Sequence, residues 1–192
     1  MKVFKFGGAS VKDANGVRNL LKVIELTHHE QLLVIVSAMG KTTNTFENVV
    51  DAYFNFPKRI NEFMNEIKSM HFEIINSLFQ KSNSSVTIKI SNLFNELNFF
   101  LKSNKNKEYS FVYDQVVGFG ELFSTIIIHQ FLNNNGYPNE WLDSRSCVKT
   151  DSYFRDANLD WYKTENEIKK AVKKNGLTVT QGFIGSNSKN HT

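Results

Sequence analysis

Five consecutive aliphatic residues, Leu32-Leu33-Val34-Ile35-Val36, constrain the fold of this chain more than any other feature. A strand that is apolar at every position has no solvent face, so it belongs inside a sheet covered on both sides. The residues before it say how it is reached. Val3-Phe4-Lys5-Phe6 alternates and ends at Gly7-Gly8, which reads as a strand. From Ala14 to Thr27, Val17, Leu20, Leu21 and Ile24 recur at the spacing of one helical face. Strand, helix, strand in that order predicts a right-handed βαβ unit and a parallel sheet. Leu177-Thr178-Val179-Thr180, closed by Gly182, predicts a second central strand, and Glu140-Trp141-Leu142 a further one.

The middle of the chain changes period. Pro57 can open a helix in its first turn. Ile60, Phe63, Met64, Ile67, His71, Ile74, Ile75, Leu78 and Phe79 then keep one helical stripe, interrupted over 82–85. Leu93, Phe94, Leu97, Phe100 and Leu101 form a second, so a helical insertion is expected over about 57–101. A third helix is expected from about Val112 to Leu132, stopped by Asn133-Asn134-Asn135-Gly136. Ile168 and Val172 lie on a further helix. With no internal repeat and no linker, the expectation is an α/β chain: a three-layer α/β/α sandwich with a mainly parallel sheet and a helical insertion.

Composition narrows the function classes. The balance of 23 basic against 19 acidic residues, net charge +4, is only mildly basic, and the lysines are scattered among acids. That argues against a nucleic-acid partner. The densest basic stretch, Lys169, Lys170, Lys173 and Lys174, follows Glu165 and Glu167 and reads as a solvated helix face. The single Cys147 excludes a disulfide scaffold and a cysteine zinc site. His28, His29, His71, His129 and His191 are dispersed, no metal site is expected, and His71 falls on an apolar stripe. No apolar run approaches the roughly 18–20 residues of a membrane span; the longest, around Ser124–Leu132, is interrupted by His129 and Gln130. The N-terminus turns glycine-rich before a signal-peptide core could form, so a cytoplasmic location is expected. The polar tail over 186–192 shows no capping or packing signal, as expected where a chain has been cut short.

Four motifs carry chemistry. In Lys5-Phe6-Gly7-Gly8-Ala9-Ser10, glycines directly after a strand allow close backbone approach to a phosphate, with Lys5 as a cation and Ser10 as a hydroxyl beside it. An ordinary βα turn would also carry a glycine pair. Gly40-Lys41-Thr42 imitates the end of a phosphate-binding P-loop, but that loop needs a glycine at position 35, which is Ile inside a strand. What remains over 37–43 is a hydroxyl-rich loop at a strand end, where open α/β sheets bind ligands. Gly118-Phe119-Gly120-Glu121 places two glycines in a helix, each costing roughly 1 kcal/mol, which suits close approach by a loop or ligand. Glu121 could meet a cation there or be a surface carboxylate. Thr180-Gln181-Gly182-Phe183-Ile184-Gly185 is another strand running into a glycine loop.

Together and in this order, these motifs resemble the N-terminal part of an aspartokinase of the amino-acid kinase family. The first is similar to that family's KFGGTS signature, with Ala9 where Thr is usual. Val36–Asn44 resembles the second signature, Gly120-Glu121-Leu122 the helix with the substrate-binding glutamate, Thr150-Asp151 with Phe154 and Ala157 the TD..F..A segment, and Thr180–Gly185 the TQGFIG segment. The resemblance spans residues 1–192 and implies the carbamate kinase-like amino-acid kinase fold, truncated to its aspartate-binding part. The family's substrate-binding arginine, nucleotide-binding half and regulatory ACT domains would follow Thr192.

The implied activity is ATP-dependent phosphorylation of the L-aspartate β-carboxylate to 4-phospho-L-aspartate, the first step toward lysine, threonine and methionine. The resemblance implies that Lys5 neutralises the phosphoryl group in transit, with Gly7, Gly8 and Ser10 on the phosphates. It implies Ser37, Thr43 and Phe183 around aspartate and Glu121 on its α-ammonium. Mg2+ would arrive with ATP, without dedicated protein ligands. A homo-oligomer is expected, with neither nucleic acid nor membrane as partner, and the 192 residues alone are expected to be inactive. A sibling kinase acting on glutamate or a carbamate, and a non-catalytic amino-acid-binding module, stay open as alternatives.

Overall fold

The computed structural model describes residues 1–27, 31–79, 84–172 and 176–192. Strand β1, Lys2–Phe6, leads through a short 3-10 turn into α1, Ala14–Glu25, and then β2, Gln31–Val36. Asp13 starts α1 by accepting the Gly16 N–H at 2.8 Å, an N-cap that fills one of the orphan donors of the first turn. Helices α2 (Thr42–Asn55), α3 (Ile60–Leu78), α4 (Ser84–Ser103), α5 (Tyr109–Val117) and α6 (Phe119–Asn134) follow. Strand β3, Asn139–Leu142, α7, Trp161–Ala171, and β4, Gly176–Gln181, complete the chain.

All pairings between these strands are parallel, in the order β1-β2-β4-β3. The two strands expected at the centre, β2 and β4, are there, with Val34 opposite Val179 and Val36 opposite Gln181. The steps β1 to β2 and β2 to β3 cross the sheet in one direction and β3 to β4 in the other. Right-handed crossovers then put α1 and α2–α6 on one face and α7 on the opposite face.

Helix α6 is the centrepiece of the first face. It is buried at every position from Gly120 to Ile128. Its polar residues tie it to the sheet: Thr125 Oγ1 accepts from Trp141 Nε1 at 2.9 Å and from Gln181 Nε2 at 2.7 Å, and His129 Nδ1 meets Asn139 Oδ1 at 2.8 Å. Helices α3 and α4 form the expected insertion and pack on its outer side through Phe94, stacked 4.5 Å from Phe123, and His71, 5.0 Å from the same ring.

Four expectations need correction. The loop expected over 37–43 gives way at Thr42 to a full helix, α2, that runs to Asn55 through residues the sequence reading left unassigned; its buried Phe46, Val49 and Val50 supply the apolar face that stabilises it. The single helix expected over 112–132 begins at Tyr109 and is broken at Gly118, which the Thr192 and Ile184 side chains approach so closely that a Cβ would meet Thr192 Cγ2 at 3.1 Å. The stretch Tyr109–Asn134 is also long and apolar enough to cross a membrane by composition, contrary to the sequence reading, but 72% of its most apolar window is buried in the core. The polar tail is ordered by packing: Asn187 Oδ1 accepts from the Lys189 and His191 N–H groups, the His191 ring sits 5.0 Å from Phe111, and Thr192 exchanges two hydrogen bonds with the Gln115 amide. His28, His29, Lys173 and Lys174, together with part of the break over 82–85, lie outside the described residues.

Candidate active site

Parallel strands put all their C-terminal ends on one edge, and the three glycine-bearing loops meet there. The turn after β1 lies against the loop after β2: Gly40 N donates to Gly8 O at 3.0 Å and Ser37 N to Phe6 O at 3.1 Å. A Cβ at Gly8 would stand 2.6 Å from Ala38 O, so a side chain there would push the two loops apart. The requirement for glycine at 8 is therefore met by backbone packing. Gly7 is different: nothing lies within 4 Å of its Cβ position, which leaves room for a ligand beside its backbone. Gly120 lets the start of α6 come up to the β2 loop, with Ala38 Cβ 3.0 Å from where its own Cβ would be.

Glu121 then projects from the first turn of α6 into the loop after β4. It is 6% exposed, and its Oε2 accepts from the Gly182 N–H at 3.0 Å and the Phe183 N–H at 2.8 Å, partners 61 and 62 residues away in sequence. Oε1 takes part in neither bond. Desolvation raises the Glu121 carboxyl above its ordinary range; the Phe183 and Gly182 N–H groups and the charge of Lys5 act in the opposite direction. Such a carboxylate is buried, oriented and short of a full counter-charge, which is the chemistry of a cation-binding group.

A cavity of about 790 Å³ opens over this carboxylate, and Gly8, Ser37, Thr43, Glu121 and Phe183 all line it. Five of the residues singled out from the sequence thus converge. Lys5, Gly7 and Ser10 are exposed and do not line it; Lys5 makes itself felt there through its charge on Glu121. The Phe183 ring is 91% exposed at the cavity, so its backbone N–H, not its side chain, is the part engaged.

The opposite wall was missed from sequence. Tyr113, Asp114 and Arg155 line it. Tyr113 Oη donates to Glu47 Oε1 at 2.6 Å, and burial followed by that bond pushes the phenol up to about 12. Asp114 Oδ2 accepts the Arg155 N–H at 2.7 Å, and burial raises the Asp114 carboxyl. Tyr113 and Asp114 lie about two turns before Glu121 on the preceding helix, a spacing that the single helix expected over 112–132 already contained.

The chain belongs to the amino acid kinase family, whose model matches residues 1–192. Among individual proteins it is similar to the lysine-sensitive aspartokinase 3 of Escherichia coli, 26% identical over 193 residues, covering 99% of this chain and 42% of that one. It is also similar to the chloroplastic aspartokinase 2 of Arabidopsis thaliana, at 28% identity with 95% and 35% coverage. The structure of E. coli aspartokinase III in complex with aspartate and ADP superposes with a TM-score of 0.87 at 25% identity, covering 97% of this chain and 41% of that chain. The Clostridium acetobutylicum aspartate kinase shares the fold, with a TM-score of 0.75 at 20% identity. The chain spans less than half the length of these relatives.

Proposed function

We propose that this chain forms the aspartate-binding side of an aspartate kinase, a phosphotransferase that converts L-aspartate and ATP to 4-phospho-L-aspartate and ADP, the first step toward lysine, threonine and methionine. The observation that carries the reading is Glu121, a buried carboxylate oriented by two backbone N–H groups on one oxygen, in a cavity shared with Gly8, Ser37, Thr43 and Phe183. An α-ammonium is the ligand group that suits it. Ser37 and Thr43 offer hydroxyls to the rest of the amino acid. The β-carboxylate is already an anionic nucleophile, so no general base is needed, and the remaining task is positioning and charge stabilisation.

ATP supplies the phosphoryl group when bound, and the turn after β1 suits phosphate oxygens. Gly7 leaves space beside its backbone, Ser10 is an exposed hydroxyl, and Lys5 is an exposed cation close enough to act on Glu121. Mg2+ would be held through the phosphates of ATP. The protein is read as a cytoplasmic homo-oligomer without a nucleic-acid or membrane partner. The test has two arms: calorimetric titration of L-aspartate into the 192 residues, and coupled ADP release by the full-length protein. Binding by the first without turnover, and aspartate-dependent ADP release by the second, are expected. Binding in both without ADP release would make the protein a binding module, and no binding would overturn the reading.

A further inference from the structure

Besides Lys5, two lysines border the turn after β1 and the loop after β2. Lys5, Lys12 and Lys41 are all exposed, and none is in a salt bridge with a described residue. Gly40 brings Lys12 and Lys41 together. Its φ of 57° is one that glycine adopts freely. Its N–H donates to Gly8 O at 3.0 Å, and a Cβ on it would stand 3.5 Å from Lys12 Cβ and 3.7 Å from Lys12 Cα. Lys41 is the next residue, about 3.8 Å on from Cα to Cα. Gly40 lines the cavity, so both lysines stand at its rim. Local structure gives no reason for a cation at 41. It is the N-cap of α2, where it makes no side-chain cap and where the helix dipole disfavours positive charge. The carboxylate beside Lys12, Asp13, is engaged by the Gly16 N–H at the start of α1. The cavity they border is acidic: among the described residues that line it, Glu121, Asp114 and Asp156 stand against Arg155 alone.

We infer that Lys12 and Lys41 form, with Lys5, a cationic collar that captures the polyphosphate chain of the phosphoryl donor. The inference rests on the phosphotransferase reading above and deepens it by two residues outside the Lys5–Ser10 turn. Both substrates of that reaction are anions, and the triphosphate is the more highly charged. The acidic walls repel it, so capture needs cations at the entrance. Exposed charges attract over about a Debye length, roughly 8 Å at physiological ionic strength and more in dilute salt. The collar therefore acts through its field and does not depend on one fixed side-chain contact. Cations at the mouth of a cleft raise the capture rate of an anionic substrate by roughly 10–10³, an effect that salt removes. Lys5 serves the transfer itself; Lys12 and Lys41 act before it.

Lys12→Gln, Lys41→Gln and the double variant are compared with wild type in two assays. In the full-length protein, ADP release is followed as ATP is varied at saturating aspartate, from low to high ionic strength. At low salt the double variant is expected to lose roughly tenfold in kcat/KM for ATP, with kcat within about twofold of wild type. The loss should vanish at high salt, and Lys12→Arg with Lys41→Arg should restore it. In the second assay the 192-residue chain is titrated with inorganic tripolyphosphate at low salt, and its affinity should fall several-fold in the double variant. A kcat/KM for ATP within about twofold of wild type overturns the inference, as does a loss that persists at high salt or that arginine does not restore. A full-length protein without aspartate-dependent ADP release removes the underlying reading. Weakened tripolyphosphate binding in the double variant would then still support a polyanion site at the collar, and unchanged binding would remove that as well.

Discussion

At the scale of the residue, the proposed function turns on two charges, Glu121 in the cavity and Lys5 beside it. Glu121→Gln keeps the shape and removes the anion, so aspartate affinity or KM should worsen tenfold or more, as a partly buried charged contact contributes roughly 1.5–3 kcal/mol. Because burial raises the Glu121 carboxyl, the wild-type affinity should also begin to fall at a higher pH than an ordinary carboxylate would impose, and titrations across the acid range would detect this. An unchanged KM in the variant would assign Glu121 to holding the Gly182-Phe183 loop and nothing more. Lys5 is exposed, and the proposed function gives it a part in the transfer step. In the full-length protein Lys5→Ala should lower kcat by several orders of magnitude while aspartate affinity changes little, since one preorganised charge at a transferring phosphoryl is worth roughly 3 kcal/mol or more. Turnover within about threefold of wild type would remove Lys5 from the mechanism.

At the scale of the element, α3 carries a built-in acid sensitivity. His71 is fully buried among Phe94, Phe123 and its own helix; Nδ1 meets Ile67 O at 2.8 Å and Nε2 has no hydrogen-bond partner among the described residues. Desolvation, partly offset by the Ile67 carbonyl, holds the imidazole down to about 4. The folded state thus refuses a proton that the unfolded chain accepts near pH 6.5. Stability from this group is complete above that value and is lost as pH falls toward about 4, a loss of about 3 kcal/mol over the window. Acid unfolding followed by circular dichroism should show a steep decline over this range in the wild type and a shallower one in His71→Leu. Parallel curves for the two proteins would show that His71 does not control the transition. The apolar stripe of α3 made His71 legible as a core residue; that its Nε2 lacks a partner depends on the rings brought over it by α4 and α6.

For the whole molecule, sheet order sets the hierarchy of stability. β2 and β4 each pair on both sides, while β1 and β3 each pair with one neighbour among the described strands. Val34 and Val179 are fully buried opposite each other, whereas Val3 is 50% exposed. Hydrogen exchange should therefore be slowest in β2 and β4, near the limit of global unfolding, and faster in β1 and β3. Equal protection across the four strands would mean that another surface covers the edges in solution.

The parallel sheet and its two central strands were legible in the sequence because they depend on local pattern: an apolar run leaves no solvent face, and a helix between two strands permits one handedness of crossover. The glycine loops were legible because a strand that ends in Gly-Gly has few alternatives. Glu121 could only be a candidate, since a carboxylate in a helix reads the same whether it faces water or two amides in a distant loop. Its burial is decided by α6 lying across β4, fixed through Thr125 to Gln181, and by Gly120 admitting Ala38. The Asp114–Arg155 wall was hidden altogether, because it joins residues 41 positions apart through a backbone N–H, and no side-chain pattern records a backbone donor. Local periodicity is a property of neighbours along the chain, whereas a site at strand ends is assembled from segments whose approach only the packed core determines.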